Sequence, residues 1–142
     1  MAGKKSAAQM LGSVGLFEGL SAKELSQIHK ASRQVEFPAG MDIVREGEEG
    51  VGFHLILSGR AKVTLRGRAR ATLGPGKFFG ELSLIDRGPR TATVTAETAV
   101  RTLSLTSWEF LPLVEKTPSI ARKILLEMCR RLREADAGAH TH

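Results

Sequence analysis

Phe79-Gly80-Glu81-Leu82-Ser83-Leu84-Ile85-Asp86-Arg87-Gly88-Pro89-Arg90-Thr91-Ala92-Thr93-Val94 is the stretch whose reading decides the fold. It sets a Gly-Glu pair at the start of a short helix, and nine residues after Glu81 an arginine opens a β-rich run. The first turn of a helix carries N–H groups without intrahelical acceptors, so its start is a natural seat for a phosphate. Gly80 allows the backbone a close approach, and the N–H groups of Glu81, Leu82 and Ser83 are the expected free donors. Arg90 adds a fixed-charge fork that matches two phosphate oxygens. Glu81 can accept from a sugar hydroxyl and is expected to orient Arg90 by its charge. Leu82, Leu84 and Ile85 are expected to anchor the short helix, and Pro89 to stiffen the approach to Arg90.

Upstream of this stretch the pattern is one of strands and turns. Val35 and Phe37 alternate with Gln34 and Glu36, as in a half-buried strand. Pro38-Ala39-Gly40 turns, Asp42 to Glu46 extends, and Gly47-Glu48-Glu49-Gly50 turns again. Phe53 to Leu57 is apolar, Ser58-Gly59 turns, Ala61 to Leu65 alternates, Arg66-Gly67-Arg68 forms a tip, and Ala69 to Leu73 returns to Gly74-Pro75-Gly76. Two more strands, about 92–96 and 99–105, follow Arg90. Short strands at this spacing, punctuated by glycine, imply an all-β roll or barrel.

Both flanks read as helical. Ser6 to Leu11 suits a short helix, and Leu16 to Leu20 an apolar turn. Ser21 with Glu24 three residues on is a capping box for a helix to about Ala31. Ser107 caps a helix through Val114. Thr117 and Pro118 open another, with Ile120, Ile124, Leu125, Met128 and Leu132 on one face to about Glu134. The fold class is therefore α+β: an antiparallel, jelly-roll-like β-roll of about eight strands, flanked by N-terminal helices and two C-terminal helices. The expected organisation is a tail or short helix over 1–13, one domain over 14–135, and a disordered tail over 136–142, with residues 1–5 frayed.

Composition narrows the function. The chain has 142 residues, 42% of them hydrophobic, which suits one domain with a real core. Cys129 is the sole cysteine, so no internal disulfide forms, and a reducing cytoplasm is the natural setting. No apolar run reaches the roughly 20 residues of a membrane span. The net charge of +6 is spread along the chain and reads as a solvated surface that also draws anions. The histidines His29, His54, His140 and His142 do not pair at a metal-ligand spacing, apart from the two at the tail, so no metal is expected. No nucleophile elbow or Walker loop appears, which argues against an enzyme. Trp108, beside Phe110 and Leu111, reads as core.

The ligand that asks for a phosphate seat and a hydroxyl acceptor at this separation is a ribose cyclic monophosphate. On these residues the chain resembles the cyclic nucleotide-binding domain family of bacterial cyclic-AMP receptor factors, cyclic-nucleotide-gated channels and cyclic-nucleotide-dependent kinases. Residues 79–94 are similar to the family's phosphate-binding cassette. The turn glycines Gly47, Gly59 and Gly76 extend the match, which spans about residues 14–134. The resemblance implies that Gly80, Glu81, Leu82, Arg90 and Thr91 contact ligand, and that Val63 and Leu73 lie near the base. Ser83 stands where many members carry Ala or Gly and joins the candidate set. It also implies that the C-terminal helix closes over the base, with Leu125, Met128 and Leu132 as lid candidates.

Thr91 leaves cyclic GMP open, with cyclic AMP the favoured ligand. The implied function is a non-catalytic sensor that acts on an effector protein or fused effector domain. Family transcription factors carry a helix-turn-helix domain after the long helix; only residues 136–142 follow here, so specific DNA binding is not expected. The alternative is a partner- or nucleic-acid-binding regulator with a vestigial pocket.

Overall fold

Serine and threonine caps set the helical boundaries. The computed structural model describes residues 6–139. Helix α1 (Ala7–Leu11) is capped by Ser6 and Gln9 in a reciprocal box. A single 3-10 turn, Gly15–Phe17, follows. In α2 (Ala22–Ala31) the Ser21 N–H donates to Glu24 Oε1 at 2.8 Å and the Glu24 N–H donates to Ser21 Oγ at 3.2 Å. This is the capping box its sequence implies, and it satisfies two donors that a helix start otherwise leaves open.

Eight strands follow: β1 (Arg33–Phe37), β2 (Asp42–Val44), β3 (Gly52–Ser58), β4 (Ala61–Leu65), β5 (Arg68–Leu73), β6 (Phe78–Phe79), β7 (Thr93–Ala96) and β8 (Val100–Thr106). They form two four-stranded antiparallel sheets, ordered β1-β8-β3-β6 and β2-β7-β4-β5. The expected roll and strand number are thus present. Strand β6 has two residues, held by pairing with His54 and Leu55, and no sequence pattern marks it. A short helix, α3 (Ser83–Asp86), sits between β6 and β7. The chain ends in α4 (Ser107–Lys116) and α5 (Pro118–Ala139). Thr106 takes the capping position of α4, one residue before the expected Ser107; its N–H and hydroxyl both donate to Glu109 Oε1. Helix α5 runs five residues past the expected Glu134. The disordered tail expected over 136–142 is corrected in part, because α5 carries 136–139 in continuous helix; the remaining expected frayed ends, residues 1–5 and 140–142 with His140 and His142, lie outside the described residues.

Two apolar cores result. One lies inside the roll, where Ile56, Ala61, Val94, Ala96 and Val100 are buried. The other joins sheet and helices through Phe17, Ile28, Phe53, Leu103, Phe110, Ile120 and Ile124. Phe17 meets the Phe53 ring edge-on at 5.6 Å, the geometry aromatic quadrupoles favour. Leu84 of α3 is fully buried in this second core, whereas Leu82 and Ile85 are 51% and 42% exposed. The anchor of the short helix is therefore Leu84 alone, not the three residues the sequence suggested. A four-residue helix has one inward face, and Leu84 occupies it.

Helix α5 corrects a second expectation. Ile120 and Ile124 are buried and Met128 packs against the core, but Leu125 and Leu132 are 66% and 70% exposed. The buried stripe continues through Glu127 and inclines toward Arg131.

Candidate functional site

The segment from Gly80 to Arg90 closes one end of the roll against the loop between β2 and β3. Gly47 N–H donates to Arg90 O and Arg90 N–H to Glu48 O, both at 2.8 Å, and Gly50 N–H donates to Gly88 O at 3.0 Å. Arg87 caps α3 in the left-handed region at φ 55° and pairs with Glu49 at 2.9 Å. Asp86 Oδ1 accepts from Gly88 N–H at 2.8 Å. These bonds fix the backbone of Arg90 without using its side chain.

Gly80 has φ +80°, a conformation that favours glycine. A Cβ there would overlap Arg90 Nη1 and crowd Gly52 O. The guanidinium thus lies directly against the Gly80 backbone. It is half-buried, its Nη1 lies 3.4 Å from Ser83 Oγ, and no carboxylate pairs with it among the described residues. Burial pushes its pKa down, the cost of a cation kept from water without a counter-charge. The N–H groups of Glu81 and Leu82 likewise have no acceptor among the described residues. Ser83 differs from expectation: its N–H donates to Gly80 O at 3.1 Å. A tight turn precedes α3, and it uses that donor internally.

These groups face a cavity of about 680 Å³ lined by Val63, Phe79, Gly80, Glu81, Leu82, Ser83, Arg90 and Thr91, among others. That volume falls within the roughly 300–1,000 Å³ of small-molecule sites. Of the candidate residues, only Leu73 is absent from the lining; it packs against the core inside the roll, in register with Ala61. Leu125, Met128 and Leu132 are also absent from the lining.

Glu81 is placed otherwise than the sequence implied. Its carboxylate does not orient Arg90. Oε2 accepts from Leu16 N–H at 2.9 Å, and Oε1 pairs with Arg131 Nη1 at 3.0 Å. Arg131 also donates from Nε to Glu127 at 3.1 Å. Sequence reasoning missed Arg131. The available signal was its position on the apolar stripe of α5, seven residues beyond Ile124, where a charge calls for a buried partner. Behind the cavity, His54 stacks against Phe79 at 5.2 Å, and its Nδ1 lies 2.6 Å from Ser104 Oγ. Burial first, then the Arg90 charge, pushes this imidazole down to about 4.

An unpaired guanidinium and open amides thus meet at one end of an apolar roll, an arrangement whose chemistry suits a compact anion. The cyclic nucleotide-binding domain pattern matches residues 34–117. The chain belongs to that family.

This domain is 33% identical over 133 residues to a CRP-like cAMP-activated global transcriptional regulator of Mycobacterium tuberculosis, covering 90% of this chain and 59% of that one. It is 41% identical over 122 residues to a cyclic nucleotide-gated potassium channel of Mesorhizobium japonicum, covering 84% of this chain and 34% of that one. The chain thus spans less than two thirds of the length of either relative. The solved N-terminal domain of a transcriptional regulator from Streptomyces coelicolor superposes with a TM-score of 0.84 at 31% identity, covering 90% of this chain and 95% of that one. Among the described residues no cluster of metal-binding side chains gathers, and no helix is long and apolar enough to cross a membrane.

Proposed function

We propose that the chain is a cytoplasmic, non-catalytic sensor that binds cyclic AMP in the roll cavity and passes the binding event through its C-terminal helix to an effector protein or fused effector domain. The observation that carries this reading is Arg90. A half-buried arginine without a counter-ion is costly in a stable fold, and a bound phosphate supplies the missing charge. Gly80, Glu81, Leu82, Ser83 and Thr91 complete the ring of contacts around phosphate and ribose, and Val63 offers an apolar wall to the base. The cyclic-AMP-activated relative supports adenine over guanine, and cyclic GMP is the competing ligand because the Thr91 hydroxyl can serve either base. A ligand moves α5 only through different affinities for its two positions.

The test is thermal denaturation with cyclic AMP, cyclic GMP and 5′-AMP. Stabilisation follows RT ln(1 + [L]/Kd) for a ligand of the native state. The melting temperature is expected to rise with cyclic AMP, less with cyclic GMP, and not with 5′-AMP, whose open phosphate carries extra charge and lacks the ring. No response to either cyclic nucleotide overturns the reading and leaves a partner-binding regulator with a vestigial pocket.

A further inference from the structure

We propose that a second cavity, between α1 and the helix-facing side of the sheet β1-β8-β3-β6, binds a small amphiphilic carboxylate of the medium-chain acyl class, with Arg101 as its anion partner. The site is separate from the nucleotide cavity and does not depend on how that cavity is read.

This second cavity measures about 700 Å³ and shares no lining residue with the one at Arg90. Val100 is buried inside the roll, and Leu103 in the core that joins sheet and helices. Side chains alternate along a strand, so Arg101 stands on the same side of β8 as Leu103. Ala7 and Met10 of α1 and Leu57 of β3 pack against that core and give the cavity its apolar wall. Pro75 extends the wall from the turn between β5 and β6. Leu57 holds its place through a bulge. Ile56 pairs with Thr102 and Ser58 with Arg101, so Leu57 is an extra residue on β3. A bulge re-aims the side chain that it releases from the ladder, and this one sets an apolar group beside Arg101.

Arg101 is the only charged residue among the described residues of the lining. Its register partner on β1 is Glu36, yet no carboxylate pairs with the Arg101 side chain among the described residues. The guanidinium lines the cavity instead, and Glu36 does not. Gln34, on the same side of β1 as Glu36, adds a polar amide to the lining. An arginine fork donates to both oxygens of a carboxylate at once. Apolar walls take up methylenes withdrawn from water. The open-amide seat beside Arg90 has no counterpart at Gly76, whose N–H donates to Ile56 O at 2.8 Å. One fork and an apolar slot therefore suit a carboxylate with an apolar tail, rather than a phosphate.

Titration of isotope-labelled protein with octanoate, followed by amide resonances, tests this, with octanol as the uncharged probe. Saturating shifts are expected at Met10, Leu57, Gly76 and Arg101, while Gly80 and Arg90 stay in place. Arg101→Leu is expected to weaken octanoate about tenfold, as for a hydrogen bond to a charged group, and octanol less than about twofold. Arg101→Lys keeps the charge without the fork and falls between. Resonances that keep their positions away from the substitution certify that each variant is folded. Shifts centred on Gly80 and Arg90 would put the acid in the first cavity, and shifts that do not saturate would mark detergent-like adsorption. Equal octanoate affinity in wild type and Arg101→Leu would leave the charge without a role. Each of these results overturns the proposal, as does the absence of any shift. A chain that ignores cyclic AMP but takes octanoate at Arg101 would sink the nucleotide reading alone.

Discussion

Arg90 and Gly80 form one unit, because the guanidinium rests where a Gly80 side chain would be. Arg90→Leu removes the charge and leaves the main-chain bonds to the 47–50 loop intact. It should cost about 2–4 kcal/mol of cyclic AMP affinity, near 100-fold, with an unchanged calorimetric Kd as the refuting result. Gly80→Ala acts on the same contact from the other side. It places an L residue at φ +80°, a strain of about 1–2 kcal/mol, and pushes Arg90 out of place. Chemical denaturation should show the first effect and ligand titration the second. A variant as stable and as tight-binding as wild type would mean that the Gly80 backbone does not seat the arginine.

Elements differ in how far their sequence foretold them. The capping box at Ser21 and Glu24 marked α2, and Thr117-Pro118 marked the start of α5. The burial of α3 was less legible: Leu82, Leu84 and Ile85 are equally apolar, and only the tertiary position of a four-residue helix selects Leu84. Leu84→Ala should therefore destabilise by about 2–5 kcal/mol, and Leu82→Ala by no more than about 0.5 kcal/mol. Urea midpoints check the contrast, and equal values would show that the anchor is shared. The orientation of α5 was hidden for a similar reason. Ile120, Ile124 and Met128 trace one helical stripe and Leu125 and Leu132 another, and both obey the same period. Glu127 and Arg131 break the tie, but a reading that assigns charges to solvent places them outward. The partnership of Glu81 joins residues 65 positions apart in one case, beyond the reach of any local pattern. By contrast, Gly80, Glu81 and Arg90 stand within a dozen residues, so their convergence on one cavity was open to a local reading.

At the scale of the whole molecule, acid sensitivity follows from His54. The native imidazole titrates at about 4, whereas in an unfolded chain it titrates near 6.5. Between those values the unfolded chain holds the proton and the native one does not, so stability is complete above about pH 6.5 and declines as pH falls toward 4. The span corresponds to about 3 kcal/mol. The lowered carboxylates of Glu24, Asp42, Glu109 and Glu127 keep their contribution above their ordinary values and lose it only at lower pH, which leaves the interval from 6.5 to 4.5 to the histidine. Denaturation of wild type and His54→Phe across that interval should give a sloping profile for the first and a flatter one for the second. Parallel profiles would remove His54 from the account.

Strand β5 ends its sheet, and its outer backbone row faces no further strand. Such a row can template stacking between molecules unless something repels the newcomer. Arg68 and Arg70 stand exposed along it, Arg70 at the point where the pairing with β4 shifts register. Like charges brought together edge to edge would push two such copies apart, which gives part of the basic surplus a colloidal purpose independent of any ligand. Replacing both arginines with threonine should raise turbidity in concentrated samples while leaving the melting temperature almost where it was.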